Sequence, residues 1–176
     1  IRLLLVLLTL VWINQSAYAQ ACTTLGQTPS TAFPVCGTNV FTQNSVPLCA
    51  TNSLFVPGCS SGSANYENRN PFFYRFTCFV SGTLGFVITP SAANEDYDWQ
   101  LYDITGRDPN DIFTVTSLVV TGNWAGTYGP TGASATGVNG IQCGSDPAAN
   151  PGKTKCHHRG GQWRQRRRRN PLQAQA

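Results

Sequence analysis

Apolar and polar positions alternate most regularly over FFYRFTCFV, where Phe72, Tyr74, Phe76, Cys78 and Val80 fall on one face and Phe73, Arg75, Thr77 and Phe79 on the other. A period of two predicts a half-buried antiparallel strand. Ser81-Gly82 is a turn signal, and TLGFVITP then sets Leu84, Phe86 and Ile88 on one face until Pro90 stops the pattern, so the two runs predict a β-hairpin. In EDYDWQLYDITG, Tyr97, Trp99 and Leu101 share a face opposite Asp98, Gln100 and Tyr102, which predicts another strand ending by Gly106. The β-branched IFTVTSLVVTG predicts one more, and GNWAGTYGPTGASATG reads as a glycine-rich loop. Upstream, from Gln20 to about Gly62, Thr, Ser, Asn, Pro and Gly separate short apolar groups, a composition for short strands and turns. Helical spacing of apolar residues is absent after the first twenty residues. The expected fold is all-β, an antiparallel sandwich of jelly-roll type that is incomplete at its C-terminus.

The N-terminus has a different pattern. Arg2, the apolar run Leu3 to Ile13 and the small residues of Ala17-Tyr18-Ala19 form a secretory signal peptide over residues 1–19, with the mature chain starting at Gln20. That run is shorter than the roughly 20 residues of a membrane span, so no span is expected after its removal. A lipoprotein reading through Cys22 is disfavoured, because Ala19-Gln20-Ala21 lacks the usual leucine.

Charge divides the rest into two unlike parts. All eight acidic residues lie between Glu67 and Asp146, against Arg69, Arg75 and Arg107. Beyond Pro151 come Lys153, Lys155, Arg159, Arg164 and Arg166 to Arg169 with no acid. An acidic module over 20–152 followed by a basic tail over 153–176 is therefore the expected organisation, and overall basicity rests on the tail alone. A nucleic-acid partner is not expected for an exported chain. The abrupt change in composition, the loss of alternation and the arrival of Cys156 predict that this tail is disordered or out of frame.

Export makes disulfides the expected state of the seven cysteines. Setting Cys156 aside leaves an even set that admits fifteen connectivities. Cys49 and Cys59 flank a short loop and are the expected local pair, and Cys78 and Cys143 the expected long-range pair. The absence of a Cys-x-x-Cys spacing, and of histidine between Gln20 and Cys156, argues against zinc.

The order of GTL at Gly82-Thr83-Leu84 and then Asp96, Asp98, Leu101, Tyr102 and Asp103 resembles β-sandwich modules of the pre-peptidase C-terminal type. With NPFFYRFT, DYDWQLYDITG, NWAG and GPTGAS in sequence, the stretch from about Cys36 to Pro147 is more similar to modules of type IX-secreted, gliding-motility-associated bacterial surface proteins. The resemblance implies a non-catalytic extracellular module within a longer adhesin-like chain.

Candidate chemistry is sparse. Glu95, Asp96 and Asp98 are the one tight acidic cluster, a candidate calcium site, with a solvated strand end as the plainer reading and a glycosidase pair as a weaker one. Without a histidine in the acidic body, no Ser-His-Asp or Cys-His arrangement can be assembled there. Trp124 and Tyr128, between glycines, are candidates for stacking on a flat ligand, although a tryptophan there also suits the end of a core. The expected function is thus adhesion or binding of an extracellular glycan or protein ligand at the cell surface, without enzyme activity or a resident cofactor other than calcium. The alternative is an accessory domain of a secreted hydrolase.

Overall fold

The computed structural model describes residues 20–35, 40, 42–44, 49–57, 59, 64–154, 160–167 and 174–175. Residues 1–19, where a signal peptide is expected, and Cys36 and Cys156 lie outside the described residues. The chain is all-β, with strands β1 (Gln20–Ala21), β2 (Phe33–Pro34), β3 (Thr42–Gln43), β4 (Cys49–Val56), β5 (Ala64–Arg69), β6 (Phe72–Thr77) and β7 (Phe86–Pro90). These are followed by β8 (Tyr97–Asp103), β9 (Val119–Ala125), β10 (Thr131–Ser134), β11 (Ile141–Gly144), β12 (Gly152–Lys153), β13 (Gly160–Arg167) and β14 (Ala174–Gln175). Short 3-10 turns occupy Pro29–Thr31, Pro109–Phe113 and Thr116–Leu118.

The strands form three mixed sheets, in the orders β11-β9-β8-β13-β6-β2, β12-β10-β7-β14-β3 and β1-β4-β5. The six-stranded sheet is the middle layer. On one face Tyr74, Tyr97, Trp99 and Leu101 pack with Ile88 and Ala133 of the five-stranded sheet. On the other, Phe73, Tyr102 and Ile104 pack with Leu54 of β4 and with Ile112 and Leu118 of the 3-10 turns. Val56 of β4, Cys59 and Trp124 of β9 form a smaller cluster of their own. Every residue of β8 from Tyr97 to Tyr102 is consequently buried, the condition of a strand covered on both faces.

The split of β8 into a Tyr97-Trp99-Leu101 face and a Tyr102 face is as the alternation predicts, but several neighbouring expectations are corrected. β6 and β7 do not form a hairpin: β6 pairs with β13 and β2, β7 with β10 and β14. β6 ends at Thr77, and the chain from Cys78 crosses to the other layer, leaving Phe79 and Val80 77% and 79% exposed. The stretch IFTVTSLVVTG begins in 3-10 turns, the first started where Asp108 Oδ1 accepts the Asn110 amide at 2.8 Å, and enters β9 only from Val119. The supposed glycine-rich loop supplies the end of β9 and all of β10. The expected antiparallel pattern is also interrupted by parallel pairs, β11 with β9 and β2 with β6 among them.

The largest correction concerns the basic tail. Gly160–Arg167 is not outside the fold: its backbone is the strand between β6 and β8, antiparallel to both, with Trp163 in register with Tyr74 and Leu101, and Arg166 opposite Asp98. A ladder is made by backbone amides and carbonyls, so a strand without apolar alternation can fill the gap between two others. Lys153 lies in β12, and Ala174–Gln175 pairs with β7 and β3.

Disulfide pairing is also corrected. Cys22 joins Cys49, with Cα atoms 5.3 Å apart, and Cys59 joins Cys143 at 5.4 Å. Cys78 is disulfide-bonded as well, and not to Cys143, whose partner is Cys59. The rejected pairing of Cys49 with Cys59 rested on sequence proximity, yet Cys49 begins β4 and Cys59 follows its far end. An eight-residue strand rising about 3.3 Å per residue separates its ends well beyond the ~7 Å that a disulfide spans.

Candidate functional site

Each candidate side chain takes its role from the layer in which its strand lies. Glu95, Asp96 and Asp98 lead into β8, an interior strand, and all three are buried, so the solvated-edge reading is corrected. Glu95 Oε2 accepts from the Tyr97 hydroxyl at 3.2 Å and from Ser91 Oγ at 3.5 Å. Among the described residues, no group of three or more His, Cys, Asp and Glu side chains is placed to hold a metal ion, these three included.

The two tryptophans of the middle sheet serve opposite cores. Trp99 Nε1 donates to Thr131 Oγ1 of β10 at 2.8 Å, and its ring meets Phe86 edge-on with centroids 5.0 Å apart. Trp124 is fully buried, and its Nε1 donates to Gln100 Oε1 at 2.8 Å. Gln100 Nε2 donates in turn to the Phe55 carbonyl at 3.1 Å, joining β8, β9 and β4. Trp124 is therefore an interior side chain, and its expected place in a ligand platform is corrected. A buried indole N–H needs an acceptor, and the one it finds is Gln100.

Tyr128 is separated from Trp124 by only a few residues and stands 57% exposed. Its loop is fastened on either side. The Gly126 amide donates to the Gly144 carbonyl at 2.7 Å, Thr127 Oγ1 to the Asp146 carbonyl at 2.8 Å, and the Gly129 amide to the Glu95 carbonyl at 3.2 Å. The loop itself connects β9 to β10 of the facing sheet, and Gly129, at φ +112°, makes a backbone turn that other residues rarely adopt. The outcome is an aromatic ring held outward on a pinned loop, its position fixed by backbone contacts on both sides.

Tyr74, by contrast, is a buried phenol of the core: its hydroxyl is hydrogen-bonded to Gln43 Oε1, and burial, with the nearby Tyr97 adding to it, raises its pKa well above the ordinary tyrosine value. Sequence reasoning missed Gln100. The available signal was a polar residue at the centre of a strand that also carries Trp99, Leu101 and Tyr102.

Comparison with known families, with characterised proteins and with solved structures yields no match. Among the described residues, no helix is long and apolar enough to cross a membrane. The class that the fold itself defines is an all-β protein of layered sheets braced by disulfides.

Proposed function

We propose that this chain is a non-catalytic extracellular module, secreted or held at a cell surface, that binds a glycan or protein ligand through the pinned Tyr128 loop. The observation that carries the reading is the contrast between Tyr128 and the other aromatics near it. Trp99 and Trp124 spend their polar atoms on internal hydrogen bonds, whereas the Tyr128 ring is exposed on a backbone tied down at Gly126, Thr127 and Gly129. An amphipathic ring on a rigid support loses little conformational entropy on binding, which favours stacking on a sugar face or packing in a protein groove. Disulfides at Cys22–Cys49 and Cys59–Cys143 support an oxidising compartment. The resemblance to modules of type IX-secreted surface proteins favours adhesion as the setting.

The test is affinity electrophoresis through gels containing soluble β-glucan, xylan or mannan, together with retention on immobilised mucin. Retention of the parent protein on at least one of these, lost in Tyr128→Ala with an unchanged melting temperature, is the expected result. Retention equal in parent and variant removes the Tyr128 loop from the reading. No retention on any probe removes the glycan ligand.

A further inference from the structure

The turn before β11 carries a chemical feature of its own. Asn139 and Gly140 are both exposed, and Gly140 has φ +82° with nothing within 4 Å of where a Cβ would stand. Among the described residues no acceptor takes the Gly140 amide proton. Its neighbours are engaged: the Val138 amide donates to the Pro151 carbonyl at 2.8 Å, and the Gly140 carbonyl accepts from Thr121 Oγ1 at 3.3 Å.

We infer that Asn139-Gly140 is a self-modification site at which the asparagine converts to aspartate and isoaspartate without an enzyme. The Gly140 backbone nitrogen attacks Asn139 Cγ, a C–N bond forms, and the side-chain nitrogen leaves as ammonia, carrying the proton lost from the amide. Water then opens the cyclic imide at either carbonyl. Opening at one carbonyl gives aspartate, and at the other isoaspartate, in which the main chain runs through the former side chain. No oxidant or cofactor enters the balance, and water is the sole co-reactant.

Two conditions govern the first step: an amide nitrogen free of other bonds, and a following residue that leaves its approach open. Gly140 meets both. Five other asparagines each fail one of them. The amide after Asn94 donates to the Ala92 carbonyl at 3.1 Å, and that after Asn110 to the Asp108 carbonyl at 3.0 Å. Asn123 is buried within β9, and its Oδ1 is held by the Ala125 amide at 2.9 Å. Asn70 and Asn150 precede prolines, which have no amide proton.

The consequence falls on β11. Conversion places a negative charge beside Val138, and isoaspartate lengthens the backbone just before Ile141, where the parallel pairing with Gly122 starts. The other end of β11 stays tied by Cys59–Cys143, so the change loosens the start of an edge strand without releasing it.

The experiment ages the oxidised protein in mildly alkaline buffer at body temperature and follows it by peptide mapping and by labelling with an isoaspartyl methyltransferase. The expected result is a mass gain from replacing NH2 by OH that appears first at Asn139, with label on the same peptide, and faster hydrogen exchange over Ile141–Gly144 in the converted fraction. Asn139→Gln should remove the label, since the longer side chain closes its ring far more slowly. Conversion that begins at Asn94 or Asn110, label that persists in Asn139→Gln, or a native protein that stays unconverted while its urea-unfolded form converts would each overturn the inference.

Discussion

Replacing Gln100 by leucine tests whether the packing around Trp124 depends on one buried amide. Gln100 is fully buried, gives its Nε2 proton to the Phe55 carbonyl and accepts from Trp124 Nε1. Gln100→Leu puts an apolar side chain in place of the amide, taking the acceptor from the Trp124 indole and the donor from the Phe55 carbonyl. Leaving a buried polar group unsatisfied costs about 1–3 kcal/mol, so the substitution, which strands two, should cost about 2–6 kcal/mol, against a typical domain stability of about 5–15 kcal/mol. Trp124→Phe removes the indole donor and strands Gln100 Oε1 instead, for about 1–3 kcal/mol plus the smaller buried ring. In the double variant the Trp124–Gln100 bond has neither end left to be stranded. The combined loss should therefore fall short of the sum of the single losses by about 0.5–3 kcal/mol, the range expected of residues in direct contact. Urea titrations followed by far-ultraviolet circular dichroism, which does not depend on the tryptophan being replaced, give the four stabilities. Additivity within about 0.5 kcal/mol would refute the claim that the two side chains satisfy one another.

The two resolved disulfides close loops of unequal length, 84 and 27 residues, and loop-closure entropy assigns them about 4.6 and 3.6 kcal/mol. Cys59→Ala with Cys143→Ala should accordingly lower the melting temperature more than Cys22→Ala with Cys49→Ala, and the reverse order in calorimetry would contradict the loop argument. At Gly122 a Cβ would stand 2.7 Å from the Trp99 carbonyl oxygen and 3.3 Å from Gln100 Cα, both backbone atoms of β8. Gly122→Ala should cost about 1–3 kcal/mol in urea, and an unchanged midpoint would place β9 farther from β8 than described. Tyr74 has a folded pKa raised chiefly by burial, so its contribution is complete below the ordinary tyrosine value of about 10 and is lost as pH rises beyond it. Stability measured across that alkaline range should fall more steeply in the parent than in Tyr74→Phe, and parallel curves would show that another group controls the alkaline limit.

What the sequence makes readable is the local face of a strand. The division of β8 between Tyr97, Trp99 and Leu101 on one side and Tyr102 on the other follows from alternation alone, as does the inward position of Trp99. The end of β8 is similarly local, since Asp103 Oδ1 accepts from both the amide and the hydroxyl of Thr105, at 2.9 and 2.6 Å, and Gly106 turns the chain at φ +67°. Pairing is a different matter. Ser81-Gly82 looks like a hairpin turn, but residues 78–85 separate β6 from β7, and at about 3.3 Å per residue that is ample chain to cross the roughly 10 Å between packed sheets. A turn signal fixes neighbours only when the link is too short to do anything else.

The same distinction explains the candidate site. Flanking glycines made Trp124 and Tyr128 look alike, although Gly122 lies in β9 where the chain passes close to the Trp99 carbonyl, and Gly129 lies in an open turn. One glycine is required by packing and the other by backbone conformation, and composition does not separate these causes. What would have separated them is the polar inventory of the strands. A tryptophan in a core needs an acceptor, and Gln100 could serve only as an interior partner, because its strand carries large apolar residues on both faces. Following that requirement from Gln100 to its donor assigns Trp124 to the interior and leaves Tyr128 as the exposed ring of the two.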